Sequence, residues 1–136
     1  MKVVFAFVFV ILGASAHHLS SEEKLKLQKI HERCQADPST HVDERLLMKL
    51  SENKDNAAVG AHMLCMSVGA GMQKANGDLD KEVIKSKISL VTHDRSKIDG
   101  LVEKCAINQD TLKKTAAMLW LCFIQNDVHY IYDLKA

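Results

Sequence analysis

Along most of the chain, apolar side chains recur every three or four residues, which is the spacing of one face of an α-helix. Between a Ser-x-x-Glu capping box at Ser20–Glu23 and the pair Asp37-Pro38, this spacing predicts a first helix from about Ser21 to Ala36. A polar loop with the only proline follows, and residues 43–52, DERLLMKLSE, predict a short second helix.

The helical pattern continues to near the C-terminus. Residues 55–75 predict a long third helix that ends at the turn Asn76-Gly77-Asp78. Asp80 is placed to cap a fourth helix, and the polar residues 93–96 lead into a fifth. The apolar segment TLKKTAAMLWLCFIQNDV, introduced by residues 108–110, predicts a sixth helix. Because no strand pair or hairpin signal stands out, we predict an all-α fold with six helices.

The N-terminus, MKVVFAFVFVILGASA, has the pattern of a secretory signal peptide. Lys2 precedes an apolar run of residues 3–12, and Ala14-Ser15-Ala16 forms a small-x-small cleavage site. The run is too short to span a bilayer. We therefore expect residues 1–16 to be a signal peptide, residues 17–136 to form one domain, and the protein to be secreted to the extracellular space.

The charge of the chain argues against a nucleic-acid partner. The formal net charge is +1, removal of Lys2 brings it to about zero, and no long run of either sign is present. A membrane disruptor would usually be basic as well. Docking to a membrane receptor, self-association as a homodimer and binding to another protein stay open.

The dipeptide His93-Asp94 suggests one enzyme class, the secreted phospholipases A2. That class needs a glycine-rich calcium loop and cysteines beside its His-Asp pair, and the segment LVTHDRSKID has neither. The hydrolase, phosphate-loop and metalloprotease motifs are missing too. The sequence therefore predicts no catalytic residue, no metal site and no cofactor.

Four cysteines in a short secreted chain usually form two disulfides, and counting alone allows three pairings. Each cysteine lies on a different predicted helix, so two disulfides would connect four helices. A zinc site is an alternative, but the chain has no Cys-x-x-Cys and no paired-histidine spacing.

With this signal peptide, helix count and cysteine spacing, the chain resembles the insect odorant-binding protein family, which includes pheromone-binding proteins and haemolymph carriers. The usual family pattern has six cysteines, and Ala61 and Lys113 stand here in place of the second and the fifth. The missing pair would have bonded to each other, so the chain resembles the four-cysteine, "minus-C" subgroup. The resemblance implies a compact helical domain around an internal hydrophobic cavity.

The resemblance also implies a disulfide pairing, Cys34 with Cys65 and Cys105 with Cys122. Without a disulfide between positions 61 and 113, the third and sixth helices are not linked covalently. We hypothesise that this seam opens more readily than in six-cysteine relatives and makes access to the pocket more variable.

The segment GAHMLCMSVGAGMQ, residues 60–73, surrounds Cys65 with three methionines, whose flexible side chains adapt to variable partners. We expect the cavity to be lined from this segment and from the helices around it, with Ser67 as a hydroxyl that orients a ligand. Plain core packing, or for Ser67 a bond to its own helix, is the alternative for each residue. The predicted ligand-binding residues are Leu27, Met48, Met63, Met66, Ser67, Ile84, Ile88, Val102, Leu119, Trp120 and Phe123.

Two further features concern exchange of a ligand. The apolar tail residues could form a lid or a frayed terminus. His62 and His129 are candidates for a pH-dependent gate. The residues of this predicted lid are Tyr130, Ile131, Tyr132 and Leu134.

By this resemblance, the protein is expected to be a carrier that reversibly binds small hydrophobic ligands such as odorants or pheromones in an apolar pocket. A haemolymph carrier of fatty acids or other lipids, and a helical protein-interaction module without a small ligand, are the alternatives. One fold serves several carriers, so the sequence does not choose among ligands.

Overall fold

The computed structural model describes residues 19–131, so the predicted signal peptide lies outside the described residues. Within this range the fold is helical, as predicted, and seven α-helices replace the expected six. A short 3₁₀ turn, Arg95–Lys97, precedes the sixth of them. The helices are α1 Ser21–Ala36, α2 Glu44–Met48, α3 Leu50–Asn53, α4 Ala57–Gly69, α5 Lys81–Val91, α6 Ile98–Cys105 and α7 Leu112–Gln125.

Side-chain caps explain where the long helices begin. The Ser20 hydroxyl accepts the backbone N–H of Glu23 at 3.3 Å, which confirms the predicted start of α1. The side chains of Asn56, Asp80 and Thr111 accept N–H groups in the first turns of α4, α5 and α7. Each cap satisfies a donor that has no partner inside its own helix.

Two boundaries differ from the prediction. The second helix is divided into α2 and α3, because Lys49 leaves the helical region with φ −121° and ψ 51°. The third predicted helix ends at Gly69 instead of residue 75, because Gly71 adopts a φ of +81° that most residues avoid. The chain then turns through Gly77 and forms an isolated antiparallel bridge between Gln73 and Leu79.

The helix pair α4 and α7 has the most extensive contact in the described structure. Helix α1 packs on α4, α5 packs on α6, and α6 packs on α7. Two disulfides reinforce these contacts: Cys34–Cys65 joins α1 to α4, and Cys105–Cys122 joins α6 to α7. This is the pairing that the family resemblance implies.

The seam between α4 and α7 is closed without a disulfide. A Cβ atom added at Gly60 would lie 3.0 Å from the Cβ of Lys113, so glycine permits a close approach of the two helices here. Asp55 and Lys114 form an ion pair across the same end of the seam. The hypothesis of an easily opened seam concerns motion and stays a prediction.

None of the helices described between residues 19 and 131 is both long enough and apolar enough to cross a membrane.

Candidate functional site

An apolar cleft lies between the helix pair α4–α7 and the two short helices α2 and α3. Its volume is about 80 Å³. A typical site for a small organic ligand has a volume of roughly 300 to 1,000 Å³, so the cleft is nearly closed in this state. Every lining side chain is apolar: Leu47, Leu50, Met63, Met66, Trp120, Ile124 and Ile131.

The methionines of α4 form one wall of this cleft. Met63 and Met66 are both buried, and as residues three apart on a helix they share a face. Methionine has three rotatable bonds and a polarizable thioether, so it can follow the shape of different neighbours. Met63 and Met66 therefore line the cleft, whereas Met72, the third methionine near Cys65, is fully buried in the core.

Trp120 forms the opposite part of the helical wall and is held on several sides. Its indole N–H donates to the hydroxyl oxygen of Ser67 at 2.7 Å. The ring of Tyr130 stacks on it at an angle of 25°, with 6.0 Å between ring centroids, and Phe123 lies 6.2 Å away in a tilted arrangement. The indole is therefore fixed by contacts from α4, from α7 and from the C-terminal segment.

Ser67 has a different place from the one expected for a group that orients a ligand. It is fully buried, it is absent from the cleft lining, and its oxygen accepts the Trp120 N–H. Its carbonyl accepts the N–H of Met72 and of Gln73, at 2.9 and 3.3 Å, where α4 ends. Both its side chain and its backbone thus take part in the packing of this end of α4.

Of the predicted ligand-binding residues, the cleft brings together Met63, Met66 and Trp120. Met48 does not line it: the side chain is 55% exposed, because the neighbouring Leu47 occupies the inward position of the short helix α2. The remaining apolar residues lie in the packed core, where the alternative of plain core packing placed them. They are Leu27, Ile84, Ile88, Val102, Leu119 and Phe123.

Sequence reasoning missed four residues of the cleft lining. Leu47 and Leu50 are three residues apart, which is the spacing of a shared inward face. Ile124 follows Trp120 by one helical turn on α7, so the same rule would have found it. Ile131 belongs to the predicted lid, and it lines the cleft while 40% exposed. Tyr132 and Leu134 lie outside the described residues.

The end of the described chain is packed against the protein and not frayed. Val128 and Tyr130 are both only 2% exposed. The Lys87 ammonium lies 5.5 Å from the centroid of the Tyr130 ring, and burial raises the pKa of the Tyr130 phenol. The buried aromatic ring thus secures the segment that carries Ile131 to the cleft.

A buried histidine pair lies beside the Cys34–Cys65 disulfide. His62 Nδ1 is 2.9 Å from the carbonyl oxygen of Thr40, so this nitrogen carries a proton and donates. His62 Nε2 is 3.1 Å from His31 Nδ1, and His31 Nε2 is 3.3 Å from a carboxylate oxygen of Glu44. Burial, the largest effect, lowers the pKa of His62 to about 4. His62 is therefore neutral near pH 7.

The tautomer of His62 determines how the pair is arranged. A neutral His62 that donates from Nδ1 can only accept at Nε2, so His31 must donate from Nδ1. On its other side, His31 Nε2 faces the Glu44 carboxylate at 3.3 Å. This chain of hydrogen bonds ties α2, through Glu44, to α1 and α4.

His129 is exposed, in contrast to the fully buried His62. His93 and Asp94 lie just before the 3₁₀ turn that precedes α6, where the Asp94 carboxylate accepts the N–H and the hydroxyl of Ser96 at 3.0 and 2.6 Å. These bonds lower the pKa of Asp94 and give it a capping role. In the part of the chain that the structure describes, no three His, Cys, Asp or Glu side chains are grouped as a metal site.

Comparison with known proteins places this geometry in a family. The model of the PBP/GOBP family matches residues 16–126, which is most of the chain. The chain belongs to the PBP/GOBP family. This confirms the resemblance to insect odorant-binding proteins, and the four cysteines in two disulfides fit the four-cysteine subgroup. Proteins of the family are secreted carriers of small ligands, and not enzymes.

Two curated relatives come from the beetle Tenebrio molitor. The B1 protein is 21% identical over 125 residues, which cover 92% of this chain and 96% of that protein. The B2 protein is 22% identical over 127 residues, which cover 92% of this chain and 98% of that protein. No solved structure matches the chain significantly. The likeness thus extends over whole chains while most side chains differ.

Proposed function

We propose that this member of the PBP/GOBP family is a secreted carrier that reversibly binds small hydrophobic ligands in the cleft beside Trp120. The observation that carries the proposal is the lining itself, because seven apolar side chains from four helices and the C-terminal segment meet around one space. Removing a poorly soluble molecule from water into such a lining is favourable and needs no covalent chemistry. Odorants, pheromones and related lipophilic molecules are the proposed ligand class.

Binding requires the cleft to widen, because about 80 Å³ is too small for such ligands. Helices α4 and α7 are each joined to a neighbour by a disulfide. Leu47 and Leu50 lie on helices of five and four residues, and Ile131 lies in the C-terminal segment. We infer that the ligand enters by displacing the short helices, the C-terminal segment or both, while the α4–α7 wall stays in place.

The proposal includes the processing of the chain. Residues 1–16 act as a signal peptide that is removed on secretion, and residues 17–136 form the single ligand-binding domain. Two disulfides are compatible with an oxidising extracellular environment. A haemolymph carrier of fatty acids or other lipids differs from an odorant carrier only in the ligand, so the ligand series below separates the two.

A displacement assay with a matched pair of variants tests the proposal. A fluorescent apolar probe is bound to the oxidised mature protein and displaced with long-chain alcohols, esters, terpenoids and fatty acids. Met63→Phe adds bulk to the cleft and is expected to weaken binding by about tenfold, the result of roughly 1–2 kcal/mol of overpacking. Met48→Phe makes the same change on a side chain that is 55% exposed and should leave binding unchanged.

Two results would contradict the proposal. Equal binding by the two phenylalanine variants would place the ligand elsewhere. If the folded wild-type protein bound no probe, the carrier function itself would fail. The half-exposed apolar rim of Ile124 and Ile131 would then become the starting point for a search for protein partners.

A further inference from the structure

The cleft offers a ligand no free hydrogen-bonding side chain among the described residues. Six of its seven lining residues are leucine, isoleucine or methionine, none of which carries an N–H or O–H group. The seventh, Trp120, has a single donor, the indole N–H, and that donor is bonded to Ser67 at 2.7 Å. A ligand oxygen buried among these side chains would lose its bonds to water and gain none.

The bond between Ser67 and Trp120 also determines which part of the indole faces the cleft. Ser67 is fixed by the backbone bonds that its carbonyl accepts at the end of α4. The donor of Trp120 is directed to this fixed oxygen, while Tyr130 stacks on the ring. With the donor directed to α4, the hydrocarbon part of the indole remains to form the cleft wall beside Met63 and Met66.

We propose that Ser67 is a positioning residue: it occupies the Trp120 N–H, keeps the side-chain lining of the cleft free of an available donor, and so makes the site select hydrocarbon-like ligands over ketones or esters of equal length. This inference rests on the proposed carrier function and names the ligand class for the same cleft. Ser67 acts through Trp120 and makes no bond to the ligand.

Ligands that differ by one oxygen test the selectivity. A linear ten-carbon alkene and the ketone with its carbonyl at the middle of the same chain compete for the apolar probe. Because a mid-chain carbonyl would lie among the apolar lining side chains, wild-type protein is expected to bind the ketone at least about fivefold more weakly than the alkene, the cost of an unpaired polar group. In Ser67→Ala the indole N–H loses the partner that directs it to α4, so the ring can turn and donate to the carbonyl, and the preference for the alkene should shrink. Ser67→Thr keeps the hydroxyl and should restore it.

The single tryptophan of the chain supplies a second measurement that needs no ligand. Its indole N–H gives one signal in a ¹⁵N-labelled sample, and the bond to Ser67 should slow its exchange with solvent. Exchange should become faster in Ser67→Ala and stay slow in Ser67→Thr. Thr115→Val is the matched control. Thr115 is a buried hydroxyl residue, as Ser67 is, and it lies on the same helix as Trp120, but its hydroxyl bonds to Thr111 and Gln109 and not to the indole.

Each outcome decides a separate part of the proposal. If the ketone binds as tightly as the alkene and Ser67→Ala weakens only the ketone, Ser67 contacts the ligand directly and the inference is overturned. Unchanged indole exchange in Ser67→Ala overturns the positioning role, whatever the ligands do. If the probe binds but neither ligand displaces it, the proposed ligand class fails while the carrier function stands; if no probe binds, both fail, and the indole signal still decides whether Ser67 holds Trp120.

Discussion

The two sides of the cleft are built differently. On one side, α4 and α7 are 13 and 14 residues long, approach closely at Gly60, and are joined to their neighbours by disulfides. On the other side, Leu47 and Leu50 lie on helices of five and four residues, and Ile131 lies on an irregular segment. Helices this short are not stable alone and depend on tertiary contacts.

This difference separates two tasks that a carrier has to perform. The α4–α7 side supplies a fixed surface with Trp120 held in one orientation. The side of α2, α3 and the C-terminal segment has no disulfide and only short helices among the described residues. We therefore expect this side to move when a ligand binds. The hydrogen bonds from Glu44 through His31 to His62 tie α2 to the α1–α4 framework.

The largest effect that we expect comes from removing the disulfide behind the α4 wall. Cys34→Ser combined with Cys65→Ser should lower the free energy of unfolding by about 3 kcal/mol, because the unfolded chain gains freedom. Urea unfolding of the oxidised protein measures it. The fixed wall loses its connection to α1, so probe affinity should fall as well.

The matching change is removal of the other disulfide. The Cys105–Cys122 bond closes a shorter loop, with 17 residues of separation instead of 31, so Cys105→Ser with Cys122→Ser should cost somewhat less stability. Each disulfide joins one helix of the α4–α7 wall to a neighbour that does not line the cleft, so probe affinity at a temperature where both variants are folded should fall in both. Unchanged affinity in either variant would contradict the role of that disulfide in fixing the wall.

The second effect is a dependence of stability on pH that comes from His62. Its pKa is lowered from 6.5 to about 4 in the folded protein, so the folded state favours the neutral ring. This contribution is complete above pH 6.5 and is lost as the pH falls toward 4, because the unfolded chain then binds the extra proton. The loss should be on the order of 3 kcal/mol, measured as the change in unfolding free energy between pH 7 and pH 4.

Several charged groups surround His62, so the comparison must be made with a variant. His31, His41 and Glu44 face it from α1, the loop and α2. His62→Gln keeps a polar side chain without a titrating ring, and its stability should fall less over the same range. If the wild-type protein and His62→Gln lose the same stability, the pH dependence has another origin.

Local sequence patterns predicted the elements that depend on neighbours along the chain. The capping box at Ser20 and the cap at Asp80 are local hydrogen-bond patterns, and both helices begin where these patterns place them. The early end of α4 depends on the positive φ of Gly71. The presence of a glycine at this position did not by itself indicate that the helix ends there. The two disulfides agree with the family resemblance, since counting cysteines left three pairings.

The candidate site was harder to predict, because its residues meet only through the fold. Met63, Met66 and Trp120 were proposed for the lining, but no pattern tells a buried apolar residue at a cleft from one in the core. The hydrogen-bond partner of Ser67 was equally hard to predict. Its partner Trp120 is 53 residues away in the sequence, and a distant indole N–H leaves no local signal.

The smallest effect that we expect on the cleft is an unchanged rate of probe release, and it tests whether the seam between α4 and α7 takes part in ligand exchange. Ala61→Cys with Lys113→Cys restores the disulfide that six-cysteine relatives have at these positions. Because Gly60 already brings the two helices into contact beside Lys113, the new bond should leave the rate of probe release unchanged while raising stability. The reduced form of the same variant is the control for the two substitutions. Slower probe release in the oxidised form alone would mean that the seam opens during exchange. The side of the cleft that moves would then include α4 and α7.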